Sequence, residues 1–351
     1  MLSTIEKSQP QSQSESKLPS TGKLFLNGSS GNSRLQTILP ELQSLAESLG
    51  LEIAFSDSSE DLQDQIERAA QEGCPNILVG GGDDTVRPAI YGLQRAGFFD
   101  CKGGLMRQRT TFGIVPLGTF NNFARHLGIA SDWKQALTDG LLGQPVQCDL
   151  GLVELSPDES ILFTESVGLG LDVQAWKEFP EEAPQLWKRA WDGLSAFVRA
   201  LRDFTPKKYR IRTDSGVVRI IKPEMLTVAN AQRFCAGLSV APLARRDDGK
   251  LDLCILPNSW FWRLLGFPIL AMGWHVNRPD VDYSQVETVE ISRDQGFRLR
   301  IDSQLTRPIN KASVRVLPRM LPIRVGIAAE TSTAKTAPRG IFSGSIGTWI
   351  P

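Results

Sequence analysis

Three glycines, two aspartates and a threonine, Gly80-Gly81-Gly82-Asp83-Asp84-Thr85, close the apolar run Ile77-Leu78-Val79. Glycines at such a point let the backbone turn sharply and approach a ligand closely, and successive N–H groups at a following helix start bind anionic oxygens. That chemistry suits a phosphate. Asp83 is then placed either to hold Mg²⁺ on the phosphates or to cap a helix beginning near Thr85. The other reading of the stretch is an ordinary strand–turn–helix junction. The P-loop pattern and the Gly-x-Gly-x-x-Gly fingerprint are both missing from this loop.

A second stretch, Pro116 to Ile129, repeats the logic: a strand end, the Gly118-Thr119 turn, then a helix carrying Asn121, Asn122 and Arg125. Two such loops facing one crevice favour a nucleotide site more than either alone. Further on, Arg245-Arg246-Asp247-Asp248-Gly249-Lys250 reads on its own as an Asp-Gly hairpin turn between two strands.

The composition sets bounds on the chemistry. The chain has 351 residues, room for about two domains at ~150 residues each. Its 39 basic and 39 acidic residues balance, so no global field steers nucleic acid to it, and none is expected as a partner. Cys74, Cys101, Cys148, Cys235 and Cys254 are scattered without a Cys-x-x-Cys pair and are expected to be buried thiols. That His126 and His275 are the only histidines argues against a histidine-rich metal site and disfavours a Ser-His-Asp hydrolase. The first 30 residues contain no apolar signal segment, so a cytoplasmic location is expected.

The elements that must position these loops follow from periodicity. Residues 1–21 are rich in Ser, Gln and Pro and are expected to be a disordered lead. From 22 to 145, strands and amphipathic helices alternate, which predicts an α/β domain with a parallel sheet and ligand-binding loops at its carboxyl ends. From 146 to 327, strand runs separated by turns, among them Ile161 to Val173 taken as one run, predict a mainly antiparallel β domain whose last strand returns to the first domain. A helical stretch places Trp187, Trp191, Leu194, Phe197, Val198 and Leu201 on one face, and residues 328–351 read as a tail. The apolar segment 260–275 is shorter than the ~20 residues of a membrane span and holds Arg263, Gly266 and Pro268.

On these motifs the chain resembles the diacylglycerol kinase catalytic-domain family, in its soluble bacterial form. That family carries a GGDGT loop, a PxGTxNDFAR segment, an iaPxAxxDDGxLD segment and a late DGE. Here they read Gly81 to Thr85, Pro116 to Arg125, Val240 to Leu253, and Asp302-Ser303-Gln304. An opening NPxSG has a likeness in Asn27 to Gly31, and the resemblance runs over about residues 22–327. It implies a Rossmann-like nucleotide-binding domain followed by a β-rich domain, and an ATP- and Mg²⁺-dependent lipid kinase. It implies ATP binding by Gly81, Gly82, Asp83, Asp84, Thr85, Gly118 and Thr119, with Asn27 and Ser56 beside them. It further implies a structural Mg²⁺ site made by the Asp248 carboxylate and the backbone carbonyls of Arg245 and Lys250.

The acceptor end departs from the family. The glutamate of the late DGE, which in the family takes the proton from the lipid hydroxyl, is Gln304 here. A carboxamide accepts no proton at neutral pH, so Asp302 is the carboxylate left in that motif. The second GGDGT glycine is Asp84, which adds negative charge to the loop. A catalytically weakened homologue that binds nucleotide or lipid as a regulator is the alternative, with an NAD kinase, which shares the GGDGT loop, behind it. The lipid substrate implies peripheral membrane contact, for which Trp260, Phe261, Trp262, Leu264, Leu265 and Trp274, or the Trp187–Leu201 face, are candidates; the other reading of both is core packing.

Overall fold

The computed structural model describes residues 21–28, 33–100, 104–105, 110–177, 199, 204–234 and 237–327. The lead, the tail and the apolar residues of the Trp187–Leu201 face lie outside the described residues.

The first half alternates strand and helix: β1 (Gly22–Asn27), α1 (Ser33–Ser48), β2 (Leu51–Ser56), α2 (Ser59–Gln71), β3 (Asn76–Gly81) and α3 (Asp83–Arg95). A small hairpin, β4 (Phe99–Asp100) and β5 (Gly104–Leu105), leads to β6 (Thr111–Pro116), α4 (Asn122–His126) and α5 (Trp133–Leu142). Strands β2, β1, β3 and β6 lie side by side and parallel. Their apolar runs are near-continuous because helices cover both faces of the sheet. Leu24, Leu26, Leu78 and Val115 pack with Leu42 of α1 and Leu137 of α5 on one side. Phe25, Val79 and Ile114 pack with Ile66 of α2 and Ile90 of α3 on the other. Ser58 starts α2 by accepting the Asp61 N–H at 3.0 Å, with Glu60 and Asp61 in the first turn where the helix dipole favours acids.

The second half is built from β7 (Gln144–Ser156), β8 (Glu159–Phe163), β9 (Ser166–Gly170), α6 (Leu171–Lys177), β10 (Tyr209–Thr213), β11 (Val218–Ile221), β12 (Pro223–Ala229) and β13 (Leu251–Pro257). Then come α7 (Trp260–Ala271), β14 (Asp282–Val286), β15 (Thr288–Phe297), β16 (Arg300–Ile301), β17 (Gln304–Leu305) and β18 (Ile309–Val325). One antiparallel sheet runs β14-β13-β12-β9-β16-β17. It packs on β10, β15, β18 and β7 through a shared core that includes Val167, Leu226, Val228 and Leu253 from one layer and Val153, Ile211, Ile291 and Val314 from the other. The 17-residue β18 pairs with β15 and β7, and near its end Ile323 pairs parallel with Phe112 of β6. The parallel sheet and one layer of the sandwich are therefore a single ten-stranded sheet.

Local structure departs from the sequence expectation in three places. The run taken as one strand from Ile161 to Val173 is split into β8 and β9, and its end, Leu171-Asp172-Val173, opens α6. Gly170, at φ +85°, makes the break, a conformation that a side chain would strain. Helix α3 starts at Asp83 rather than near Thr85 or beyond. Strand β14 was not foreseen, because its polar residues Asp282, Ser284 and Gln285 obscure the pattern.

Among the described residues, no helix is long and apolar enough to cross a membrane. Helix α7 divides its aromatic residues: Trp262 is buried with Nε1–H donating to Asp280 at 2.8 Å, whereas Trp260, and Trp274 just beyond the helix, are exposed. Cys148 and Cys254 are buried thiols and Cys74 is half-buried.

Candidate active site

The parallel strands end in register. Asn27 of β1 stands opposite Ser56 of β2, and Gly81 of β3 stands opposite Pro116 of β6. Asn27, Ser56, the glycine loop and the Gly118 turn therefore lie along one carboxyl edge, where open α/β sheets present ligand loops. Ser56 is fully buried and donates its hydroxyl to the Leu26 carbonyl at 3.3 Å, so its side chain serves the sheet. Thr85 is buried in the first turn of α3, while Thr119 is exposed on the second loop.

The two loops touch through their glycines. A Cβ built on Gly118 would lie 2.4 Å from the Gly82 Cα, closer than any real contact, so here glycine lets one backbone approach the other. The Leu117 N–H donates to the Gly81 carbonyl at 3.0 Å. Asn121, at φ +50°, folds its amide back on the turn: Oδ1 accepts the Gly118 N–H at 3.0 Å and Nδ2 donates to the Gly118 carbonyl at 2.9 Å.

Asp83 joins the loops more firmly. Its carboxylate oxygens accept the backbone N–H groups of Asn122 and Phe123, each at 3.0 Å. It caps α4, which follows the second loop, and not the helix that it opens; the residue before α3 is Gly82, which has no side chain to cap with. Burial raises the Asp83 pKa above the ordinary carboxylate value, the two N–H donors oppose the shift, and the neighbouring carboxylates of Asp84 and Asp302 add to it. Asp84 carries an exposed side chain in the first turn of α3.

Beside these loops opens a cleft of about 1150 Å³, lined by Asp83, Asp84 and Arg87 of α3, by Asn122, by Thr164 and Glu165 after β8, and by Asp302 to Leu305. The two residues expected at the reaction centre, Asp302 and Gln304, are both here. Asp302 adopts φ +47° in the turn between β16 and β17. Its Oδ2 accepts the Thr164 N–H and hydroxyl at 2.9 and 3.2 Å, and its Oδ1 accepts the N–H groups of Glu165 and Ser166 at 2.9 and 3.0 Å. Arg300 braces this turn: buried, it donates Nη1–H to the Asp302 carbonyl at 2.7 Å and Nε–H to Asp172 at 2.8 Å. Gln304 is exposed on β17.

Glu165 is the site residue that sequence reasoning missed. It is buried, and its Oε2 accepts the Asn122 Nδ2–H at 3.2 Å. Burial, then repulsion from Asp83 and Asp302, pushes its pKa well above the usual carboxylate value, with Arg300 and Asn122 opposing. It sits inside an apparent strand, Phe163-Thr164-Glu165-Ser166. The available signal was a charged residue in an otherwise apolar run, where a carboxylate is retained only at a cost.

The Asp248 turn lies elsewhere. Asp248 Oδ1 accepts the Lys250 N–H at 3.1 Å and Oδ2 accepts from Gln285 Nε2 at 3.0 Å. Asp149 ties the same turn to β7 and β18, accepting the Gly249 and Arg319 N–H groups, both at 2.7 Å. The Asp-Gly hairpin between two strands is not formed: β12 ends at Ala229 and β13 begins at Leu251, so these bonds hold the end of a long loop that leads into β13. Among the described residues no three His, Cys, Asp or Glu side chains cluster as metal ligands. The expected Mg²⁺ set relies instead on one carboxylate and two backbone carbonyls. Asp248, and the Asp149 carboxylate that accepts the Gly249 N–H beside it, are hard oxygen donors of the kind that Mg²⁺ takes.

A parallel sheet whose carboxyl-end loops face an antiparallel sandwich across a carboxylate-lined cleft defines a two-part α/β plus β-sandwich protein. The family model for the diacylglycerol kinase catalytic domain matches residues 21–153, and that for the YegS C-terminal NAD kinase beta sandwich-like domain matches residues 165–325. The chain belongs to the diacylglycerol kinase catalytic-domain family. It is 25% identical over 315 residues to the "Probable lipid kinase YegS-like" of an Enterobacter species, covering 86% of this chain and 95% of that one. It is 24% identical over 290 residues to the diacylglycerol kinase of Staphylococcus carnosus, covering 80% and 88%. A crystal structure of a diacylglycerol kinase from Bacillus anthracis superposes with a TM-score of 0.61 at 18% identity, over 88% of this chain and 98% of that one, which establishes the shared fold.

Proposed function

We propose that this chain transfers the γ-phosphoryl group of ATP, with Mg²⁺, to the hydroxyl of a lipid such as diacylglycerol. The observation that carries the reading is the joining of two glycine loops at one sheet edge, clipped by Asp83, next to a cleft that holds Glu165 and Gln304. Gly81, Gly82, Thr85, Gly118, Thr119 and Asn27 border the nucleotide side; Mg²⁺ neutralises the phosphates there when bound. Phosphoryl transfer needs positioning and charge neutralisation above all, and a rigid loop pair supplies the first.

In this reading Glu165 takes the proton of the lipid hydroxyl. Asp302 is held by four hydrogen bonds and positions the Thr164–Ser166 turn, and Gln304 accepts no proton. A general base works best with a pKa near the working pH, and burial moves Glu165 in that direction. A second Mg²⁺ at the Asp248 turn braces the sandwich. The exposed Trp260 and Trp274 at the ends of the α7 region, with Met272 between them, bring the chain to the bilayer surface.

The test is radiolabel transfer from ATP to a panel of neutral and anionic lipids in mixed micelles. Transfer to a lipid hydroxyl supports the kinase reading. Binding of ATP or lipid without transfer favours the regulator alternative, to which the Gln304 replacement points.

A further inference from the structure

Arg87 stands on the wall of the cleft, one helical turn after Asp83. It is 8% exposed, its Nη1 is sealed from solvent, and that nitrogen has no hydrogen-bond acceptor. An acid four residues before an arginine on a helix is its natural ion-pair partner. Asp83 occupies that place, yet both its oxygens accept the Asn122 and Phe123 N–H groups. Glu165 and Asp302, in the same cleft, are likewise bonded elsewhere: to Asn122, and to Thr164, Glu165 and Ser166. Tyr91, one turn further along α3, directs its hydroxyl to the Leu162 backbone. A buried guanidinium nitrogen left without an acceptor destabilises a fold, so its presence at a ligand-sized cleft calls for an anion from outside the chain.

We propose that Arg87 binds a phosphate group of the ligand that fills this cleft. A guanidinium matches the paired oxygens of a phosphate with two parallel N–H donors. Asp83, Glu165 and Asp302 are already committed, and the other two acids of the lining, Glu60 and Asp84, are solvent-exposed and do not bond the sealed Arg87 Nη1, so the ligand supplies the partner. Lys177, at the end of α6, is the other cationic side chain among the described residues that line the cleft. The source of the phosphate is either the γ-phosphate of ATP or a phosphate within the lipid headgroup. In the second case the acceptor belongs to the anionic phospholipids instead of neutral diacylglycerol. The inference deepens the kinase reading and rests on it only for the identity of the donor.

Isothermal titration of the full chain and of Arg87→Met tests it, with inorganic phosphate, Mg–ATP, Mg–ADP and monomeric dihexanoyl phosphatidate as probes. The expected result is a tenfold or greater loss of affinity in Arg87→Met for at least one probe, with a melting temperature equal to or above that of the parent. A loss for Mg–ATP but not Mg–ADP assigns the γ-phosphate; a loss for the phosphatidate assigns the headgroup. Affinities within twofold of the parent for all four probes overturn the proposal. Arg87→Lys, which keeps the charge without the planar fork, is titrated alongside and is expected to lose less; it carries the test if the Met variant unfolds. Because binding is read without turnover, failure of phosphoryl transfer in the parent sinks the kinase reading while leaving the phosphate site standing.

Discussion

The Asp302 carboxylate accepts both the backbone N–H and the hydroxyl of Thr164, at 2.9 and 3.2 Å, across 138 residues of chain. It also takes the next two N–H groups, so this aspartate shapes the wall of the cleft in which Glu165 stands.

Asp302→Asn keeps the size but offers one acceptor oxygen where two are in use. Hydrogen bonds to a charged group are worth about 1.5–3 kcal/mol each, and a loss of roughly that order in urea unfolding is expected, together with lowered turnover. A variant as stable as the parent that turns over slowly would return the base role to Asp302.

Glu165→Gln should lower kcat by ~10²–10⁴-fold, the range of a positioned base, with ATP affinity unchanged. The parent's rate should fall as pH drops through the raised Glu165 pKa, because the deprotonated form does the work. That acid limb should vanish from the residual activity of Glu165→Gln. Gln304→Glu, which restores a carboxylate on β17, should recover part of the rate in the Glu165→Gln background. If Gln304→Glu helps the parent only when Asp84→Gly accompanies it, the loop charge is the obstacle instead.

Asp252 gives a pH signature of stability. Burial pushes its carboxyl to about 7, the hydrogen bond from Tyr283 opposing and Asp248 adding to the shift. The folded state therefore holds a proton that the unfolded chain releases above about 4. Its stabilisation is full below that value and is lost as pH rises towards about 7. Asp252→Asn should flatten the stability curve over this window by up to about 1.4 kcal/mol per pH unit. Equal slopes for parent and variant in thermal melts from pH 4 to 7 would mean that Asp252 ionises normally.

At the neighbouring turn, Asp248→Ala should abolish any rise in melting temperature that added Mg²⁺ gives the parent. Equal Mg²⁺ stabilisation of both proteins would leave the turn a plain loop end before β13, held by the Lys250 and Gln285 hydrogen bonds.

The α/β half was legible in the sequence because its signals are local. Apolar runs at Leu24, Ile77 and Phe112 and the helical spacing after Leu35 depend on neighbours a few residues away. Both glycine loops were legible for the same reason. What escaped depends on distance along the chain. Asp83 read as either a Mg²⁺ holder or a cap for its own helix, and in the fold it caps a helix that begins 39 residues later. Glu165 lay inside what reads as a strand, and only the fold shows the turn that exposes it to Asp83 and Asp302. The isolation of Arg87 was equally invisible, since sequence spacing pairs it with Asp83.

Strand β18 is the last described element of the chain, yet it lies at the centre of the ten-stranded sheet. During synthesis β6 therefore emerges with an unpaired edge, and so do β7 and β15, until residues 309–325 arrive. Over that interval the nascent chain presents open backbone donors and acceptors to any passing strand. A truncation that removes β18 would leave both halves with an open seam, so a stop before residue 309 should yield an aggregating product rather than an isolated nucleotide-binding half.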